Sequence, residues 1–413
     1  MSSRISGFYK MTVEKRKEMI KKLANLSDLE IKMLCESSLD ISLADKMIEN
    51  VIGNMEIPLG IATNFIINGK EILIPMAVEE SSVIAACSNA AKKAIKTGGF
   101  TTTSSDPIMI GQIQVLGITN YEEAKNKIIQ NKEKILKIAN MQDAALIKAC
   151  GGARDIEVRN LDNGMLIVHL LVDVRDAMGA NAVNTMAEAV APLIGELTNG
   201  KIGLKILSNL ADKRIAKAKV VYDKDEIGGE DVVDGIINAY KFAMADPYRA
   251  ATHNKGIMNG IDAVLIATSN DWRAIESGAH SYAAKNGYKS LTHWKKDENG
   301  DLVGEIEIPM AVGIIGGSSS IHPKAKINKK ILGIKSAKEF GEILAAVGLA
   351  QNFAAIRALA VEGIQKGHMS LHAKNIAIMA GAKGDEIDTI SEKLISEGKV
   401  NIEKAKQILK QMK

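Results

Sequence analysis

Aromatic residues are scarce in this 413-residue chain: they make up 4% of it, while Met alone occurs 18 times among 46% apolar residues. The core is therefore predicted to be mostly aliphatic. Cysteine is scarce as well. Cys35, Cys87 and Cys150 are odd in number, far apart and form no Cys-x-x-Cys pair. That pattern argues against a disulfide framework and fits small buried thiols in a reducing cytoplasm. No stretch reaches the roughly 18 uncharged apolar residues of a membrane span. The opening Met-Ser-Ser-Arg-Ile-Ser-Gly-Phe-Tyr-Lys lacks the long apolar core of a signal peptide. No membrane partner is expected. A strong excess of one charge is missing too: 53 Lys and Arg face 49 Asp and Glu, a net +4 with the signs interspersed. This balance argues against a general nucleic-acid binder. Neither a Gly-x-Gly-x-x-Gly fingerprint nor a Walker loop occurs, so a dinucleotide, if bound, is bound on an unusual fold.

The length leaves room for two or more domains. Short helices are predicted from 12 to about 50, with Thr12 as one cap and Ser27-Asp28-Leu29-Glu30 as a capping box. Asn68-Gly69 between two apolar runs predicts a hairpin. It leads into Glu79-Glu80 and a helix of small residues over 81–96, stopped at Gly98-Gly99. The hydroxyl-rich Thr101 to Ser105 reads as a link. Beyond it come a strand over 108–118, one helix over 122–139, strands over 155–158 and 165–174 joined at Asn163-Gly164, a helix over 182–197 and a strand over 202–207. This β-α-β-β-α-β order predicts a ferredoxin-like α+β unit inserted into the chain. Helices follow over 229–247, 255–267 and 272–286, then a hairpin at Asn299-Gly300, a helical region from about 337 and a helical tail broken at Gly381 to Gly384. The fold class is α+β. The expected division is a large, mostly helical domain (1–104 and 213–362), a small domain (105–212) and a C-terminal flap (363–413).

Three stretches carry chemistry. Arg249 to Arg273 packs Arg249, Asn254, Lys255, Asn259, Asn270 and Asp271 around an apolar run. A Lys with an Asp nearby can hold a fixed positive charge where an oxyanion develops; a capped core helix with a structural ion pair gives the same cluster. Glu79 and Glu80 precede a helix, as capping carboxylates do; the sharper reading buries one of them as a proton donor with a raised pKa. At Asp173 to Asn184 a strand ends in charged residues and a glycine turn opens a helix, a geometry that can hold a pyrophosphate but also that of an ordinary capped turn. His368 and His372 are four apart on one helical face. No Glu follows the first, and no third ligand suggests itself, so no metal is expected; a catalytic acid on a mobile segment fits better.

Taken together, these stretches resemble the 3-hydroxy-3-methylglutaryl-CoA (HMG-CoA) reductase family, class II. Glu49-Asn50-Val51-Ile52-Gly53, Glu79-Glu80, Asp176-Ala177-Met178-Gly179-Ala180-Asn181, Thr252-His253-Asn254-Lys255-Gly256, Asn270-Asp271-Trp272-Arg273 and Gly367-His368-Met369 carry the resemblance across essentially the whole chain. It implies two hydride transfers from NAD(P)H to HMG-CoA, through a hemithioacetal and mevaldehyde, giving mevalonate and CoA. It further implies that Lys255 stabilises the oxyanion, Glu80 gives a proton to the aldehyde oxygen, Asp271 links the two in a shared network, and His368 protonates the departing CoA thiolate. Arg249 would pair with the HMG carboxylate, and Ser82, Asn209, Thr252, Asn259, Gln351 and His372 would line its pocket. Asp176, Met178, Gly179, Ala180 and Asn181 would cradle the dinucleotide. Asp143 would lie near the adenosine ribose, where a carboxylate accepts from a 2′-hydroxyl and repels a 2′-phosphate, so NAD is favoured over NADP. A homodimer with active sites at its interface, and a tail that closes over the nicotinamide, are implied as well. The sequence departs from the family pattern at Ser81, where Pro is usual, and at Tyr9-Lys10, where some relatives carry an Arg near the CoA phosphates. An NAD(P)-dependent reductase of another acyl-CoA would be marked by loss of the HMG carboxylate partner, and a non-catalytic CoA-binding module by loss of Lys255, Glu80, Asp271 or His368. All of these residues are present.

Overall fold

Asn68 and Gly69 both take positive φ, 49° and 77°, the backbone that a tight two-residue hairpin requires. They fold β1 (Leu59–Ile67) back on β2 (Lys70–Ala77). The computed structural model describes residues 2–36, 39–161, 163–361 and 373–412. Its ten strands form two sheets. The larger runs β2-β1-β3-β8-β10-β9, where β3 is Phe100–Ser104, β8 Ile215–Tyr222, β9 Thr292–Lys296 and β10 Leu302–Pro309. The smaller runs β5-β6-β4-β7 and is antiparallel throughout, with β4 at Ile108–Leu116, β5 at Gly152–Leu161, β6 at Met165–Asp173 and β7 at Lys201–Ser208.

Two strands of the larger sheet correct the sequence reading. The expected link at Thr101 is strand β3, which buries Phe100 and Thr102 and turns Thr101 and Thr103 outward. β8 has no counterpart in that reading. Its buried side chains are Ile215, Ala216, Ala218, Val220 and Tyr222, and the alternating Ala and Lys after Ile215 make a weak apolar signal. The outward Lys217 and Lys219 pair with Glu307 and Glu305 of β10 at 2.5 and 3.4 Å, which suits cross-strand neighbours. The large unit is thus a mixed sheet-and-helix structure. β3 and β8 pair directly, so the chain leaves the large sheet after Ser104 and rejoins it at Ile215.

The helix Ala337–Val361 packs on β3, β8 and β10 and on three other helices. By length and composition it could cross a membrane, but 67% of its most apolar window is buried inside the chain. It is the central core helix. The small sheet packs against Ala180–Thr198 and against two helices, Tyr121–Gln130 and Lys132–Asn140, where one was expected. Asn131 breaks them apart, its side chain donating back to the Lys127 carbonyl.

At the N-terminus, Ser27 and Glu30 form both bonds of the capping box, at 3.2 and 2.7 Å. The tail helices Glu386–Ser396 and Ile402–Met412 share a small apolar cluster of their own. Cys87 is buried, but Cys35 and Cys150 are exposed, against the expectation of three buried thiols.

Candidate functional site

The helix that carries Lys255 begins at Pro247, not at 255. Pro occupies its first turn and the Asp246 carboxylate accepts from Tyr248 N–H at 2.9 Å, a strong start signal. It runs to Ala267, so Arg249, Thr252, Lys255 and Asn259 share one rigid element. Thr252, Lys255 and Asn259 follow one another along its outer face. The opposite face is buried through Ile257, Ile261 and Val264. Asn254, fully buried, fixes the helix laterally: its side chain donates to the Lys289 carbonyl and accepts from Leu291 N–H.

Next to it, β2 ends and Glu79-Glu80 lead into the helix Val83–Lys93. Both of these elements pack on the Lys255 helix, which brings Glu80 Oε2 to 3.5 Å from Lys255 Nζ. The Glu80 side chain is 41% exposed and that of Lys255 61%. The buried proton donor of the sharper reading is therefore not formed within one chain. Ser82 sits at φ 79°, in the left-handed region. A non-glycine residue there stores about 1–3 kcal/mol of strain and tends to mark a functional turn.

Asp271 caps the helix Trp272–Ala283, accepting from Ala274 N–H at 3.2 Å, and pairs with Arg273 at 3.3 Å. Among the described residues, no hydrogen bond or ion pair joins it to Lys255 or Glu80. Asn270 holds the turn, accepting from Gly313 N–H at 2.9 Å. Asn209 is exposed on the segment after β7, and its carbonyl lies so close to Gly278 that a Cβ there would come within 2.5 Å of it. Gln351, on the core helix, is 6% exposed; its Oε1 is buried without a partner, an acceptor available to a hydroxyl or amide. His368 and His372 lie outside the described residues.

Beneath the site, His253 is 2% exposed. Its Nε2 lies within 3.1 Å of Ser290, Thr292 and Asn352 side chains. Burial first, and the Arg249 charge second, push its pKa down to about 3. Burial also lowers the Arg249 guanidinium.

The Asp176–Asn181 turn opens the helix Ala180–Thr198 with Gly179 at φ 98° and no side-chain cap, so the first-turn N–H groups are left for an anion. The residues present fit a dinucleotide pyrophosphate. Asp176 has a structural bond: its carboxylate accepts from Ala337 N–H at 2.7 Å, at the start of the core helix. Arg214, 5% exposed, grips the turn from below. It donates to the carbonyls of Ala177 and Met178, at 3.1 and 3.4 Å, and to that of Val312. Burial brings its pKa down to about 10. Sequence reasoning gives no role to Arg214, or to His253 within its family motif, because nothing in their spacing distinguishes them. Asp143 caps the short helix Ala144–Lys148, accepting from Leu146 N–H at 2.8 Å. Among the described residues, no group of three His, Cys, Asp or Glu is placed to hold a metal ion.

Residues 12–373 match the family model described as hydroxymethylglutaryl-coenzyme A reductase. The chain is 58% identical to the 3-hydroxy-3-methylglutaryl-coenzyme A reductase of Archaeoglobus fulgidus over 416 residues, covering 100% of this chain and 95% of that one. It is 37% identical to a probable enzyme of the same name from Borreliella burgdorferi over 402 residues, with 94% and 90% covered. Among solved structures, the class II enzyme of Streptococcus pneumoniae bound to NADPH in open conformations superposes with a TM-score of 0.83 at 40% identity, covering 97% of this chain and 100% of that one. A second structure of the pneumococcal enzyme gives 0.85 at 41%, with 99% of each chain covered.

Proposed function

The chain belongs to the hydroxymethylglutaryl-coenzyme A reductase family, and from that premise we propose how its residues carry out the reaction. It is an oxidoreductase that interconverts HMG-CoA with mevalonate and CoA. Bound NAD(P)H supplies the two hydrides. The Lys255–Glu80 pair at 3.5 Å carries the reading: a cation and a carboxyl group side by side, on separate rigid elements, serve a carbonyl that gains negative charge and then a proton. Lys255 stabilises the developing oxyanion. Glu80 delivers the proton to the aldehyde oxygen. Asp271, fixed at a helix N-terminus, sets the local charge. Arg249 takes the HMG carboxylate with its planar fork, and Ser82, Asn209, Thr252, Asn259 and Gln351 line the pocket. His368 protonates the CoA thiolate, with His372 beside the substrate, on the segment outside the described residues.

The four-stranded unit is the small, ferredoxin-like domain over 105–212. It holds the dinucleotide on the backbone of Asp176, Met178, Gly179, Ala180 and Asn181, and Asp143 beside the ribose favours NADH over NADPH. Residues 1–104 and 213–362 form the substrate domain, and 363–413 the flap. The active unit is a homodimer in the cytoplasm. Ile52 and Met55, more than nine-tenths exposed in the single chain, and the open Lys255–Glu80 pair fit a partner that covers them.

The test is oxidation of NADH and, separately, NADPH by the purified protein with HMG-CoA, counting free CoA. Two reduced nicotinamides consumed per CoA released is the expected result. One per CoA, or none, overturns the four-electron reading.

A further inference from the structure

Asp262 carries a carboxyl group that the reaction as described does not use. It lies on the Lys255 helix, continuing the line of Thr252, Lys255 and Asn259, about 10 Å along the axis from Lys255. Its Oδ1 is shut off from solvent and has no hydrogen-bond partner. The carboxyl group is hydrogen-bonded to Glu276, on the neighbouring helix Trp272–Ala283. Glu276 holds His280 Nε2 at 2.6 Å. His280 Nδ1 meets the Tyr288 hydroxyl at 2.7 Å, with the two rings stacked at 6.0 Å. Among the described residues, no Lys or Arg pairs with either carboxyl group, so the ionisable groups facing the pair are His280 and, beyond it, Tyr288.

Two carboxyl groups in contact cannot both be charged cheaply, and the pair retains one proton. Burial first, then the bond to Glu276, pushes Asp262 up to about 8. The bond to His280 foremost holds Glu276 below the usual carboxylate range. The pair therefore carries one proton and one negative charge between its two carboxyl groups. Their O–H···O bond joins the helix that presents Lys255 to the helix that Asp271 caps. The second helix also supports Asn209 through the close contact at Gly278.

We propose that Asp262 and Glu276 form a proton-sharing clamp between these two helices and so act as positioning residues for the carbonyl-reducing site. The inference rests on the roles assigned above to Lys255, Asp271 and Asn209. While the proton is present, the two helices keep one register, and Lys255 stays aligned with Asp271 and Asn209. When it leaves, two negative charges face each other beside an oxygen that already lacks a partner, and the helices part. The sign follows from proton linkage. Between the ordinary carboxyl pKa and about 8, the folded chain holds a proton that the unfolded chain does not. The clamp's contribution to stability is therefore full below that window and is lost as pH rises through it.

The experiment compares the parent with Asp262→Asn and Asp262→Ala, measuring kcat and Tm from about pH 6 to about pH 10. The Asn amide still donates to Glu276 but cannot ionise. Asp262→Asn is expected to keep kcat within about threefold of the parent near neutrality and to exceed it at least about fivefold at the alkaline end. The Tm of the parent should fall with pH relative to that of the Asn variant, and Asp262→Ala should lose kcat at every pH. Superimposed Tm profiles for the parent and Asp262→Asn overturn the clamp. Diverging Tm profiles with superimposed kcat profiles overturn the positioning role. Should Asp262→Asn fail to fold, Glu276→Gln serves: it removes the neighbouring charge, and the fall in Tm should move to lower pH; an unmoved fall overturns the clamp. Because Tm needs no substrate, failure of the clamp is separable from failure of the site assignments, which Lys255→Ala tests.

Discussion

Replacing Lys255 by Ala separates catalysis from stability, because the structure predicts opposite magnitudes for the two. The Lys255 and Glu80 side chains are 61% and 41% exposed, and their ion pair is 3.5 Å long. A pair so exposed contributes at most about 1 kcal/mol to folding. Tm should therefore fall by no more than about 2–4 °C. The loss in turnover should be far larger. Removing one pre-positioned group that stabilises a developing oxyanion costs about 10²–10³ in kcat, roughly 3–4 kcal/mol. The assay is the steady-state rate of NAD(P)H oxidation with HMG-CoA at saturation, beside a thermal melt of the same preparation. Turnover within about tenfold of the parent refutes the role of Lys255. A Tm drop well beyond the stated range shows that the residue is structural.

Three further outcomes follow from groups around the site. Arg214→Lys leaves the half-buried carbonyls of Ala177 and Met178 with fewer donors; KM for NAD(P)H should rise about tenfold and stability fall by about 2–3 kcal/mol, and an unchanged KM refutes the grip. His253 is held neutral with its pKa near 3, so it contributes stability that is full above the ordinary His pKa and lost as pH falls toward 3. Denaturant titrations of parent and His253→Asn should converge in acid, with the parent losing about 2–3 kcal/mol between about pH 7 and pH 4.5; a parallel pH dependence refutes the assignment. Asp143→Ala should raise the NADPH:NADH ratio of kcat/KM at least about tenfold, with a cap loss of about 1 kcal/mol; an unchanged ratio removes Asp143 from cofactor choice.

The turns and caps were legible because their signals are local. Asn68-Gly69 and Ser27 to Glu30 each specify a backbone geometry within a few residues. β8 was not legible, since Ala216 and Ala218 fill a core face with little apolar mass and their Lys neighbours are matched only by Glu305 and Glu307, far along the chain. The start of the Lys255 helix carries a local signal in Asp246-Pro247, but polar Thr252 to Lys255 obscure the helical period and move the expected start to 255. At the site, the family motifs marked Lys255 and Glu80, and the fold brings them together. The second layer was silent. Arg214, His253 and the Asp262–Glu276 pair act through burial and through partners remote in sequence, and neither is visible in spacing alone.

The position of the core helix Ala337–Val361 has a consequence for synthesis. It covers β3, β8 and β10, yet it leaves the ribosome after every strand that it covers. Until then, β3, β8 and β10 lack this cover, and the buried Phe100, Val220 and Ile308 lie on those strands. When the helix does emerge, its own sequence has the length and hydropathy of a membrane span. The nascent chain therefore passes through a late interval in which this helix and the strands it covers are both unpaired. Chains truncated before Ala337 are expected to be held by chaperones or to aggregate, however complete their sheets.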